Sequence, residues 1–106
     1  MAIELRHLRY FLAVAEEGHI TRAAERLHMS QPPLSMQIQA LEREVGTPLF
    51  ERTPHGVTLT EAGEAFVTEA RGIVGSTERA REAALRAARG ETGHLRVGFT
   101  GSAAFN

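Results

Sequence analysis

The chain has 106 residues, no Cys, 42% hydrophobic residues and a formal net charge of −1. That length holds one small domain plus an extension, and the absence of Cys excludes disulfides and thiolate metal sites. No apolar run reaches the ~20 residues that cross a bilayer, and the acid-bearing start MAIELRHLRYFLAVAEEG has no small-residue cleavage site, so neither membrane span nor signal peptide is expected and the cytoplasm is the expected location.

Leu5, Leu8, Leu12 and Ala15 recur at helical spacing, with Phe11 and Val14 alongside, and Gly18 is a natural stop. This first helix should pack its stripe on the two that follow. A short second helix is expected from near Thr21 to near His28, with Ala24 and Leu27 inward. Ala23 and Ala24 are small enough for two helices to approach closely. A tight turn at Met29-Ser30 leads into a third helix, for which Ser30 is a good N-cap. Pro32 and Pro33 lie in its first turn, where backbone N–H groups have no intrahelical partner. Leu34, Ile38, Leu41 and Val45 share one face, and Pro32, Met36, Gln39 and Arg43 the opposite one. Gly46 ends the helix.

Leu49-Phe50-Glu51-Arg52 and Val57-Thr58-Leu59 read as two short strands. Thr53-Pro54-His55-Gly56 between them has Pro and Gly where a type I turn wants them. Thr60 then caps a long helix reaching about Arg89. Phe66, Ala70, Ile73, Thr77, Ala80 and Ala84 form a narrow stripe along it, extended by Ala62 and Ala88. At ~1.5 Å per residue this helix spans roughly 45 Å, too long to bury against so small a domain. A second copy of the chain is the expected partner, so the stripe is assigned to dimerisation. Gly72 and Gly75 each cost the helix about 1 kcal/mol relative to Ala, which makes a kink there conceivable. Residues 89–93 read as a hinge, and His94-Leu95-Arg96-Val97-Gly98-Phe99 alternates like a strand. One strand is not stable alone, so the chain is expected to be truncated as a further domain begins.

The expected fold is therefore mainly α. A winged helix-turn-helix of three helices and a β-hairpin occupies residues 1–59, a linker and dimerisation helix 60–89, and a hinge with the first strand of a truncated domain 90–106.

A helix-turn-helix with a polar outer face suits the DNA major groove. Net charge argues mildly against nucleic acid, but placement matters more than the sum. All twelve basic residues are Arg, and no acid occurs from Arg26 to Leu41 or from Arg52 to Thr60. The candidate readers on the third helix are Gln31, Pro32, Ser35, Met36 and Gln39. Gln39 suits an adenine edge and Met36 a thymine methyl. On the wing, Arg52 and His55 suit phosphate or minor-groove contact, although Arg52 could instead pair with an acid such as Glu51. Thr21, Arg22 and Ser30 are candidates for the phosphate backbone, with capping the stronger role for Ser30.

The five His show no metal-ligand spacing and read as scattered surface residues. No catalytic constellation stands out, so neither an enzyme nor a cofactor is expected. The expected function is a dimeric, sequence-specific DNA-binding transcription regulator. The alternative is a winged-helix protein-interaction module without sequence-specific DNA binding.

The pieces from Leu5 to Thr100 resemble the LysR-type transcriptional regulators. LRHLRYFLAVAEEG is similar to the family's first helix, TRAAERLHMSQPPLSMQIQALEREVG to its helix-turn-helix, and PLFERTPHGVTLTEAG to its wing and linker-helix start. The resemblance implies a homodimer through the linker helices, often a tetramer at full length, bound to double-stranded operator DNA. It also implies a C-terminal domain for a small-molecule effector. HLRVGFTGS is similar to that domain's first strand and loop, which makes Thr100 and Ser102 candidates for effector contact. SQPPLS and LRHLRYF resemble the subgroup controlling aromatic-compound catabolism, often answering to muconate-like acids. Members commonly carry Arg where this chain has Met36, so a DNA contact implied by the family is missing here.

Overall fold

The computed structural model describes residues 3–90. In chain order these form α1 (Leu5–Glu17), α2 (Ile20–Arg26), α3 (Gln31–Val45), β1 (Phe50–Thr53), β2 (Gly56–Leu59) and α4 (Glu61–Ala88). This is the expected mainly helical fold, with the wing between α3 and α4. The expected strand at 94–99, with Thr100 and Ser102, lies outside the described residues.

The chain divides into two compact units between Val74 and Gly75. The first continues past the expected boundary at residue 59, because Gly63, Val67 and Ala70 of α4 are buried with the three helices. Phe11 shows why. Its fully buried ring on α1 lies 5.1 Å from that of Phe50 on β1 and packs edge-on to that of Phe66 on α4 at 5.0 Å. One side chain thus ties helix, wing and α4 together, and its burial is worth about 1.5–3 kcal/mol. Leu34 and Leu41 of α3 and Leu49 ahead of β1 are fully buried in the same core.

His7 corrects the expectation of surface histidines: it is buried. Its Nδ1 accepts the Glu4 backbone N–H at 3.0 Å, so the imidazole satisfies a backbone donor at the start of α1.

The turn of the helix-turn-helix is built earlier than Met29-Ser30. α2 ends with Leu27 as C-cap, and His28 takes the left-handed conformation, φ +58°. The His28 N–H donates to the Glu25 carbonyl at 3.1 Å and the Met29 N–H to the Ala24 carbonyl at 3.0 Å. This pair of bonds is a Schellman motif, in which Gly usually holds the left-handed place. His is among the residues enriched there after Gly.

Ser30 is the N-cap of α3 by backbone conformation, yet its side chain makes no capping bond. The following residues explain the miss. A capping side chain accepts from the second or third helical N–H, and these positions are Pro32 and Pro33, which have none.

β1 and β2 pair antiparallel, with Phe50 opposite Leu59 and Thr53 opposite Gly56. Among the described residues only His28 and glycines have positive φ, so Pro54 and His55 turn the chain with negative φ, as a type I turn requires. Thr53 Oγ1 accepts the His55 N–H at 3.2 Å and closes the loop. The wing is anchored at both ends. At its base, the Glu42 carboxylate of α3 accepts the Leu49 and Phe50 N–H groups at 2.7 and 3.1 Å. Near its tip, the Val57 N–H donates to the Gly18 carbonyl at 3.1 Å, and a Cβ on Gly56 would fall 2.3 Å from that oxygen.

Thr60 caps α4 as expected: its Oγ1 accepts the Gly63 N–H at 3.0 Å and donates to the Pro48 carbonyl at 2.8 Å. A Cβ on Gly63 would lie 2.1 Å from the Leu49 carbonyl oxygen, so only glycine lets α4 start this close to the chain entering the wing. The helix is continuous through Gly72 and Gly75.

Candidate nucleic-acid interface

Burial of Leu34, Ile38 and Leu41 turns the opposite face of α3 outward. Pro32, Met36 and Gln39 are exposed there, while Gln31 and Ser35 are half-buried. Met36 is 66% exposed, the highest value among the exposed large hydrophobic residues described. On α2, Thr21 and Arg22 are exposed; Ser30 is exposed at the α3 start, and Arg52 and His55 on the wing. The candidate residues at 21–55 therefore all retain some solvent access.

The fold joins three of them directly. Ser35 Oγ accepts from Gln31 Nε2 at 3.1 Å and from Arg52 Nη2 at 3.4 Å. Arg52 thus reaches a hydroxyl on α3, not the Glu51 carboxylate considered from sequence. A cleft of about 260 Å³ beside this contact is lined by Thr21, Gln31, Arg52 and the wing residues Thr53 and Pro54. His55 stands exposed in the hairpin turn, its backbone N–H bonded to Thr53 Oγ1.

Local electrostatics narrow the set of cations. The Arg26 guanidinium contacts Glu16 at 2.8 Å and Glu17 at 3.3 Å, and Glu16 lies 3.9 Å from Arg71. Hydrogen bonds to Glu16, then Glu17, hold Arg26 above its ordinary pKa. Arg26 is thereby engaged by two acids, whereas Arg22, Arg43 and Arg52 are exposed, Arg43 on α3 itself and Arg52 bonded to Ser35.

Sequence reasoning missed Glu42, His28 and Gly63, whose roles are to fix the wing, the turn and the start of α4. Glu42 lies between apolar residues of the α3 pattern and reads there as a solvated acid. Only the approach of the Leu49 and Phe50 amides gives it a partner.

The dimerisation stripe needs correction at its first residues. Ala70 is 1% exposed within its own chain, and Phe66 is half-buried against Phe11, so both serve the intrachain core. The N-terminal turns of α4 complete the first compact unit, and helix length alone does not reveal that. Ile73, by contrast, is 50% exposed. Further along α4, Thr77 is half-buried and Ala80 and Ala84 are exposed.

Among the described residues no group of three or more His, Cys, Asp or Glu could hold a metal ion, and no helix is long and apolar enough to cross a membrane.

A helix-turn-helix with an outward polar second helix, buttressed by a two-stranded wing, defines the class as winged-helix DNA-binding protein. Residues 5–64 match the family described as bacterial regulatory helix-turn-helix proteins of the lysR family. The chain belongs to that family, whose members are DNA-binding transcription regulators and not enzymes. It is 58% identical over 104 residues to the HTH-type transcriptional regulator BudR of Klebsiella aerogenes, covering 98% of this chain and 73% of that protein. It is 55% identical over 100 residues to the HTH-type transcriptional regulator ClcR of Pseudomonas putida, covering 94% of this chain and 34% of that protein. The fold superposes with a TM-score of 0.76 on the CbnR DNA-binding domain solved in complex with DNA, at 48% identity, covering 81% of this chain and 99% of that one.

Proposed function

We propose that this regulator reads operator DNA with the outer face of α3 in the major groove and with the wing against the adjacent backbone or minor groove. The observation that carries this is the surface itself: a large apolar side chain, Met36, stands exposed between Pro32 and Gln39 on a helix face that has no carboxylate from Gln31 to Leu41. Water does not favour such a Met, whereas a thymine methyl does. Gln39 is the candidate for an adenine edge, with Gln31, Pro32 and Ser35 at the groove end of the helix. Thr21, Arg22 and Ser30 take the phosphate backbone. The two prolines leave the Ser30 hydroxyl without a capping partner, which favours that contact over a cap. Arg52 and His55 serve the wing.

The assembly belongs to the same proposal. A homodimer would present two α3 helices to a two-fold operator, joined through the exposed part of the α4 stripe from Ile73 through Thr77, Ala80 and Ala84, with tetramers at full length. A small-molecule effector would bind a C-terminal domain to which Thr100 and Ser102 contribute, and the resemblance of SQPPLS and LRHLRYF to the aromatic-catabolism subgroup supports a muconate-like acid as that effector. The regulator would act in the cytoplasm.

The experiment selects duplexes from a random pool with the purified protein, sequences them, and titrates the winner with salt. Expected are two related half-sites about one helical turn apart and an affinity that falls steeply with salt. Absence of duplex binding even at low salt would reject DNA reading and favour the protein-interaction module.

A further inference from the structure

Resting on the DNA-reading face proposed above, we infer that Ser35 is a positioning residue that couples the wing to α3, holding Arg52 in place before DNA arrives and leaving its own hydroxyl proton as a donor.

Three observations carry this. First, the guanidinium of Arg52 can only donate, so Ser35 Oγ is the acceptor of the 3.4 Å bond, and the Gln31 amide occupies its second lone pair at 3.1 Å. A hydroxyl has two lone pairs and one proton. With both lone pairs engaged, what Ser35 can still offer is the proton, which fits a phosphate oxygen or the O6 and N7 acceptors of guanine. Second, the wing is already fixed on either side of Arg52, by Glu42 at Leu49 and Phe50 and by Gly18 at Val57. The strand that carries Arg52 therefore has little freedom of its own, and Ser35 has only a side chain to restrain. Third, Arg52 lines two adjoining clefts, one of about 80 Å³ shared with Ser35 and Gln39 and one of about 260 Å³ shared with Thr21 and Gln31. A guanidinium free to swing would sample both. The bond to Ser35 selects the position beside α3. A flexible Arg loses rotamer freedom on binding, and a restrained one has lost part of it beforehand. Wing and recognition helix then meet the duplex as one surface.

The test has two arms. In the free protein, side-chain ¹⁵N relaxation of the Arg52 guanidinium is compared between wild type, Ser35→Ala and Ser35→Thr. Mobility should rise in Ser35→Ala and return in Ser35→Thr, which keeps the hydroxyl. On the selected duplex, a double-mutant cycle is built from Ser35→Ala and Arg52→Ala. Arg52→Ala should weaken binding at least about threefold less in the Ser35→Ala background than in wild type. Unchanged Arg52 mobility in Ser35→Ala overturns the inference, and so does a strictly multiplicative cycle, which two independent DNA contacts would give. Wild-type protein that binds no duplex rejects the DNA-reading proposal instead, and the relaxation arm still decides whether Ser35 restrains Arg52.

Discussion

At the scale of single residues, the backbone chemistry of proline and histidine decides more than side-chain identity suggests. Pro32 and Pro33 remove the two N–H groups that Ser30 would cap, so a serine that looks structural stands exposed and uncapped at the start of α3. His28 holds a left-handed position at a cost of about 1–2 kcal/mol for a residue with a Cβ. His28→Gly should stabilise the protein by about 0.5–1 kcal/mol, since relief of that cost exceeds the roughly 0.5–1 kcal/mol that glycine's added flexibility costs in the unfolded chain. A higher urea midpoint at unchanged slope is the expected readout, and a lower midpoint would show that the His side chain supplies something the backbone geometry does not. Met36 offers no charge to DNA. Met36→Arg should tighten binding to DNA and steepen the salt dependence by about one counterion, read as the slope of log affinity against log salt. An unchanged slope would mean that position 36 does not approach a phosphate.

Among elements, the wing owes its place to α3 and α1. Two strands of four residues are not stable in isolation. Glu42 accepts two backbone donors at the hairpin base, and hydrogen bonds to a charged group are worth more than neutral ones. Glu42→Gln should destabilise the domain by about 1–2 kcal/mol, lowering Tm by several degrees, and speed amide exchange at Leu49 and Phe50. If both are unchanged, the carboxylate is not the anchor. The pattern of apolar residues made α1, α3 and the two strands legible because burial on one face imposes a period on the sequence. Glu42 and Gly63 were illegible for a different reason: each answers to backbone atoms of the segment entering the wing, outside its own helix, and no local period records that approach.

For the whole molecule, the division at Val74 changes what α4 does. Its first turns belong to the core, through Gly63, Val67 and Ala70. Only residues beyond Ala70 on the stripe remain available to a second copy, beginning with the half-exposed Ile73. Light scattering at micromolar concentration should give a dimer, and Ile73→Glu should weaken self-association about tenfold or more, because burying such a side chain is worth about 1.5–3 kcal/mol. A wild-type monomer under those conditions would remove the proposed interface.

The sequence by itself determined the order of elements and the outward face of α3, because helical and strand periods and the helix-turn-helix spacing are local properties of the chain, and the resemblance of its motifs pointed to the family. Tertiary structure alone decided which small residues are core and which stay exposed. Ala70 and Ala80 look alike along the stripe of α4, yet Ala70 is buried by its own chain and Ala80 is exposed. It likewise decided that Arg26 is engaged by Glu16 and Glu17 while Arg52 is drawn to Ser35. The physical reason is common to both cases: burial and ion pairing depend on groups brought together across the fold, and a one-dimensional pattern carries no distance between them.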